Sequence, residues 1–198
     1  MIKITHISYS FGKGGASKAA SNIINCLARK NFDIKKYSII NLWKNSKINF
    51  IKFLLINLFF RLIIKKKKNS FNLFDLYHKD TNIEDSDILH LHWIGNEFFS
   101  LKQIIRNNKK IIWTVHDDWL RNYTQHIGTQ KKRFNFLENF FIKKVQRIKN
   151  KIYAKNITFV APSKYIQKNL EKLIKKKIYL IQHPIDEKIF KFRKKKEN

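Results

Sequence analysis

Cysteine is nearly absent from this 198-residue chain: Cys26 stands alone. That excludes an internal disulfide and a metal cluster built from cysteines, and it fits a reducing compartment. Acid is scarce as well. Asp and Glu number 14 against 42 Lys and Arg, a formal net charge of +28. Such an excess repels itself and favours anionic partners: lipid headgroups, nucleic acid or phosphorylated ligands. Seven of the basic residues are Arg and the rest Lys, the weaker choice for bidentate recognition of phosphates or bases, so most of the charge decorates a solvated surface. No nucleic-acid motif is present, and the aromatics sit in apolar runs rather than interleaved with Lys as a stacking platform, which argues against a nucleic-acid binder. The N-terminus lacks the charged-then-apolar layout of a signal peptide; Met1 to Ile7 reads as a first strand. There is no internal repeat.

What is present suits one folded domain. Hydrophobic residues make up 43% of the chain, and its length allows one real core but is short for two. Strands are predicted over Ile2 to Ser8, Lys36 to Leu42, Asp87 to Trp93, Lys110 to Val115, Asn156 to Ala161 and Ile178 to Ile181. Between them lie helical patterns: Ala16, Ala20, Ile23, Ile24 and Leu27 on one side; a short helix over Phe98 to Ile105; Leu137, Phe141, Val145, Ile148 and Ile152; and Ser163 to Ile174. Apolar strands alternating with helices imply an α/β fold, a Rossmann-like parallel sheet covered on both faces.

Ile48 to Ile64 interrupts that rhythm. It is very apolar, yet it is slightly short for a membrane span and holds Lys52 and Arg61. Asn57, Arg61 and Lys65 recur every fourth residue, one polar stripe on a wide apolar helix, and Lys65 to Lys68 follow. Residues 43–70 thus read as a basic amphipathic segment, able to lie in the headgroup layer of an anionic membrane or to pack on the core.

Three clusters carry chemistry. Gly12, Gly14 and Gly15 fall between a strand and a helix, where backbone N–H groups can approach an anion; a structural tight turn has the same appearance, and the run is neither a Walker loop nor a full dinucleotide fingerprint. His90 and His92 share one face of a strand, with Leu89, Leu91 and Trp93 on the other. Two such histidines can ligate a metal, but no neighbouring acid or cysteine completes a set, so buried, hydrogen-bonded rings are expected and no metal site is assigned. His92 and Trp93 stand at the C-terminal end of their strand, where parallel sheets form ligand crevices. In the third cluster, Trp113 to Trp119, His116 and Asp117 could form an acid/base pair or cap a loop; adjacency disfavours triad geometry, and His116 reads as a ligand contact.

Read together, the opening strand with Gly-Gly-Ala, HLHWIGNEFFSL, TVHDDW, APSKYI and the closing IQHPIDEKIF occur in one order, and the chain resembles glycosyltransferase family 4 enzymes of polysaccharide and lipopolysaccharide synthesis. The resemblance implies the N-terminal, acceptor-side half of a GT-B enzyme: metal-independent, retaining transfer, with no cofactor beyond the nucleotide-diphosphate sugar as co-substrate. By position it implies that Gly14 and Gly15 face the donor diphosphate and that His116 meets the transferred sugar. It makes Asp117 and Trp119 the neighbours of that histidine, with Trp119 and His126 among the residues that contact the substrate. Ser163 matches a serine that is often structural, and Ile181 to Asp186 leads towards a second domain. Departures lie at Leu120 to His126, where relatives carry Pro, paired Gly and Cys-His and only His126 keeps the register, and at His183, where relatives usually have Asn. The expectation is an acceptor-side domain over 1–186 and a basic tail over 187–198 that begins a linker. Such a half would be inactive without a donor-binding half, which a separate subunit could supply. Its partners would be a nucleotide sugar, a saccharide or lipid-linked acceptor and an anionic membrane surface, at the inner face of the membrane in the cytoplasm. The alternative is a non-catalytic membrane-surface or partner-binding module derived from such an enzyme.

Overall fold

A computed structural model describes residues 1–12, 14–64, 70–76, 81–126 and 135–185, and among these lie six short strands and seven helices, three of the helices in succession between the second and third strands. The strands are β1 (Ile2–Ile7), β2 (Phe32–Tyr37), β3 (Ile88–Leu91), β4 (Lys110–Thr114), β5 (Ile157–Ala161) and β6 (Tyr179–Leu180). The helices are α1 (Gly15–Ala28), α2 (Ile39–Asn45), α3 (Lys47–Ile64), α4 (Thr81–Glu84), α5 (Leu101–Arg106), α6 (Phe136–Ala154) and α7 (Lys164–Ile174). All strand pairs are parallel, in the order β2-β1-β3-β4-β5-β6. This is the Rossmann-like α/β sheet expected from the sequence. Because the order reverses between β1 and β3, the crevice of such a sheet opens beyond the C-terminal ends of those two strands.

The core lies between sheet and helices, with Ile7, Leu89, Leu91, Ile111, Trp113 and Phe159 buried along the strands. Three helices begin with reciprocal caps: Ser38 with Asn41 on α2, Ser100 with Gln103 on α5, and Asn135 with Glu138 on α6. Ser163 caps α7 by accepting from the Ile166 N–H.

Three sequence expectations are corrected. The second strand runs Phe32–Tyr37, not Lys36 to Leu42, because Ser38 and Asn41 form a capping box and turn Ile39 onward into α2. On α6, Val145 and Ile152 of the predicted stripe are buried and Phe141 and Ile148 pack against the core, but Leu137 is exposed, and Glu138, Ile142 and Lys149, outside that stripe, are buried as well. Residues Ile48 to Ile64 do form a helix, but it divides its apolar side chains. Phe53 and Phe60 pack inward, Phe60 stacking on Phe71 at 4.5 Å, while Ile51, Leu54, Leu55, Leu58 and Leu62 stay exposed. No helix among the described residues is long and apolar enough to cross a membrane. Lys65 to Lys68 and the 187–198 tail lie outside the described residues.

Candidate functional site

The loops that follow β1, β3, β4 and β6 all leave the same edge of the sheet and enclose a cleft of about 680 Å³. Gly14, Gly15, Trp93, His116, Asp117 and His183 line it. Gly14 sits at φ 92, a conformation that a side chain would strain, and it is the residue from which α1 starts. No side chain caps α1. Its first backbone N–H groups therefore face the cleft with the positive end of the helix dipole behind them. The loop is folded back on its helix by Ser10 Oγ against Ser17 Oγ at 2.7 Å and by Ser21, which donates to the Phe11 carbonyl at 2.6 Å. Gly12 is exposed in the same loop, between Ser10 and Gly14, which line the cleft, and is not itself part of the lining.

On the opposite wall, Asp117 is fixed from several sides. Its Oδ2 accepts from the Trp93 indole N–H at 3.0 Å and stands 2.6 Å from His126 Nδ1, while Oδ1 accepts from the Trp119 backbone N–H at 3.0 Å. His126 Nε2 in turn meets Ser70 Oγ at 2.9 Å. Asp117 is therefore tied to His126 and Trp93 and makes no hydrogen bond to His116, so the adjacent pair suggested by the sequence is not an acid/base couple in this geometry. Gly95 permits the arrangement: a Cβ there would come within 2.7 Å of the Trp93 ring and 3.0 Å of His126.

Trp119, expected against the ligand, is buried in the core. Its indole donates to the Ser70 carbonyl at 2.8 Å, and it stacks on His126 with centroids 5.9 Å apart. The loop carrying Trp119 is held from below by Lys149. That fully buried amine donates to the carbonyls of Trp119, Asn122 (2.7 Å) and Tyr123 (3.1 Å) and sits 4.2 Å from the Trp119 ring centre. Burial pushes its pKa well below the usual lysine range.

His92 is buried behind the cleft wall, with Nδ1 3.2 Å from His116 Nε2. Its other nitrogen meets His6, which sequence reasoning missed: parallel pairing sets His6 beside His90, and this register between distant segments has no local signal. His6, His90 and His92 each offer a nitrogen within 4.8 Å of the others. However, His6 Nδ1 and His92 Nε2 face one another at hydrogen-bond distance, 2.9 Å, and His90 Nε2 meets Thr114 Oγ1 at 2.8 Å. Desolvation holds these rings neutral, lowering His6 to about 4 and His90 to about 3. His116 falls to about 3 through burial, then through its neighbour His183. His183 is positioned by the segment after β6, where Asn22 of α1 donates to the Pro184 carbonyl at 3.1 Å.

The arrangement can bind a ligand that presents both an anionic group, to the open end of α1, and hydroxyls, to the histidine and aspartate wall. No curated protein matches this chain. A family model does: that described as Glycosyltransferase Family 4 matches residues 13–188.

Proposed function

Because the chain belongs to glycosyltransferase family 4, we propose that it is the acceptor-side half of a retaining enzyme. In this reading it moves a hexose from a nucleotide-diphosphate sugar to a saccharide or lipid-linked acceptor in cell-surface polysaccharide synthesis. The reading involves no metal or organic cofactor. The observation that carries it is the cleft, where the uncapped start of α1 faces Trp93, His116, Asp117 and His183. The N–H groups of α1 would meet the diphosphate. The Trp93 ring offers an apolar surface to a sugar, and the unused lone pair on Asp117 Oδ1 accepts from one of its hydroxyls. Transfer of this kind depends on placing the acceptor and neutralising the departing phosphate charge. The second task falls to a donor-binding half, in the same enzyme or as a separate subunit.

The experiment replaces Asp117 by Asn, and separately Gly14 by Val, in the producing cell. The expected result is a loss of a surface polysaccharide by about 100-fold, the scale of misplacing a reacting group. Normal polysaccharide with stably folded variants overturns the proposal. The 198 residues expressed alone should transfer nothing from a panel of nucleotide sugars; turnover by that protein would sink the half-enzyme part.

A second reading, a non-catalytic module at a membrane surface, is favoured by the exposed apolar side of α3. No acidic residue occurs between Asp33 and Asp75, so the whole α2–α3 region is cationic. An anionic bilayer suits both apolar side chains and charge. Docking there serves either reading, since it would hold the cleft near a lipid-linked acceptor on the cytoplasmic face.

A further inference from the structure

Four histidines from distant parts of the chain stand in single file. His6 Nδ1 is 2.9 Å from His92 Nε2, His92 Nδ1 is 3.2 Å from His116 Nε2, and His116 Nδ1 is 3.2 Å from His183 Nε2. The file starts in the core, where His6 and His92 are buried, and ends at His116 and His183 on the cleft. Every link has the same polarity, Nδ1 of one ring to Nε2 of the next.

A neutral imidazole carries one N–H and one bare nitrogen. Burial keeps all four rings on the neutral side of their ordinary range. Each tautomer then dictates its neighbour's, because two N–H groups cannot face each other, nor can two lone pairs. Only two orders satisfy every link: all rings protonated on Nδ1, donating towards the cleft, or all on Nε2, donating inwards.

The buried end chooses between them. His6 Nε2 is sealed from solvent and has no hydrogen-bond partner among the described residues. In the inward order that atom is a buried N–H without an acceptor; in the outward order it is an unused acceptor. Orphaned buried N–H groups are the rarer defect in folded proteins.

We propose that the four histidines form one ordered file, protonated on Nδ1 throughout, in which His6 and His92 are positioning residues that fix His116 and leave His183 presenting an N–H to an oxygen of the bound ligand. A phosphate and a sugar oxygen share the acceptor chemistry required. The inference deepens the reading of the cleft as the ligand site. Its test reads nitrogens rather than turnover, so either can fail without the other. An ion held by His6, His90 and His92 is the rival use of the buried rings, and it would break the first link.

The test is long-range ¹H–¹⁵N correlation on the uniformly labelled 198-residue protein at pH 7.5, which distinguishes protonated from bare ring nitrogens. The expected spectrum shows His6, His92, His116 and His183 as neutral Nδ1–H tautomers. Any neighbouring pair with opposite tautomers, an Nε2–H order throughout, or charged rings overturns the proposal. His6→Phe removes the end that chooses the order, so His116 should change from one dominant tautomer to a mixture although it does not touch residue 6. A folded variant with His116 unchanged counts against the file; if the variant does not fold, the wild-type spectrum still decides. One equivalent of Zn²⁺ should leave the His6 and His92 signals in place, and stoichiometric binding that shifts both overturns the proposal in favour of the metal.

Discussion

At Gly95 the need for glycine comes from two side chains, not from its backbone. The indole of Trp93 is held by Asp117, and the His126 ring is held by Asp117 and Ser70, so neither can retreat from an added methyl group. Gly95→Ala should therefore cost about 1–3 kcal/mol, the range for overpacking a fixed site, and urea unfolding would measure it. The same substitution should disturb the cleft wall, since Trp93 lines it and its ring stands nearest the added methyl group. Full stability with an unshifted Trp93 indole NMR signal would show that the site yields. Trp93 and Asp117 were legible in the sequence because both follow apolar strands. The bond between them was not, because it joins two loops that only the sheet brings together.

Among the elements, α6 shows how a charged residue can set a helix's facing. Lys149 lies on the inner face and caps three carbonyls of the loop that carries Trp119. Lys149→Met keeps the apolar stem but leaves those buried carbonyls unpaired. A loss of about 3 kcal/mol is expected, within the range for buried acceptors left unmade, again read by urea unfolding; a loss under half a kcal/mol would mean water replaces the amine. This is why Lys149 was absent from the predicted stripe on α6: a lysine counts as solvent-facing in any apolar periodicity. The α2 error has a different origin. Ile39 and Ile40 suit a strand or a helix equally, and Ser38 with Asn41 decides only through cap geometry. On α3, periodicity found the helix but not which apolar residues it buries. Leu54, Leu55 and Leu58 are exposed while Phe53 and Phe60 are core residues. Replacing those three leucines by Ser should abolish sedimentation with anionic vesicles and leave the melting temperature within a few degrees. Equal binding to neutral and anionic vesicles by the wild-type chain would instead remove charge from the argument.

For the molecule as a whole, two kinds of buried group pull stability in opposite directions with pH. His6, His90, His92 and His116 titrate below their ordinary range when folded. Between about pH 6.5 and 4 the unfolded chain then binds more protons, and acid favours unfolding. Glu97 is the reverse. Burial raises its carboxyl to about 7 despite hydrogen bonds from the Phe71 and Asn72 backbone. Its folded form binds more protons between about pH 4.5 and 7, and its contribution falls as pH rises there. Four histidines outweigh one glutamate, so the melting temperature should climb from pH 4 to 6.5. Glu97→Gln removes the opposing group and should make that climb steeper; a flatter profile in the variant contradicts the assignment. The fold class was readable because alternating apolar strands and helices allow few arrangements. The buried histidine file was not, since its members come from segments that are neighbours only in space.

The same long reach has a consequence for how the chain is made. The His6–His92 link joins residues 86 positions apart, and β1 lies in the sheet between β2 and β3. Until β3 leaves the ribosome, β1 can pair only with β2, and two strands alone are marginal in water. At roughly 5–20 residues per second, synthesis of the intervening stretch takes about 4–16 s. Over the last part of that interval, roughly 1–5 s at the same rate, α3 is already complete and displays its apolar side while Phe71 and Phe141, the rings that cover Phe60, are not yet in place. A nascent chain in this condition needs a temporary cover for α3, from a chaperone or from the membrane itself, so the surface proposed for docking is also the one most prone to aggregation during birth.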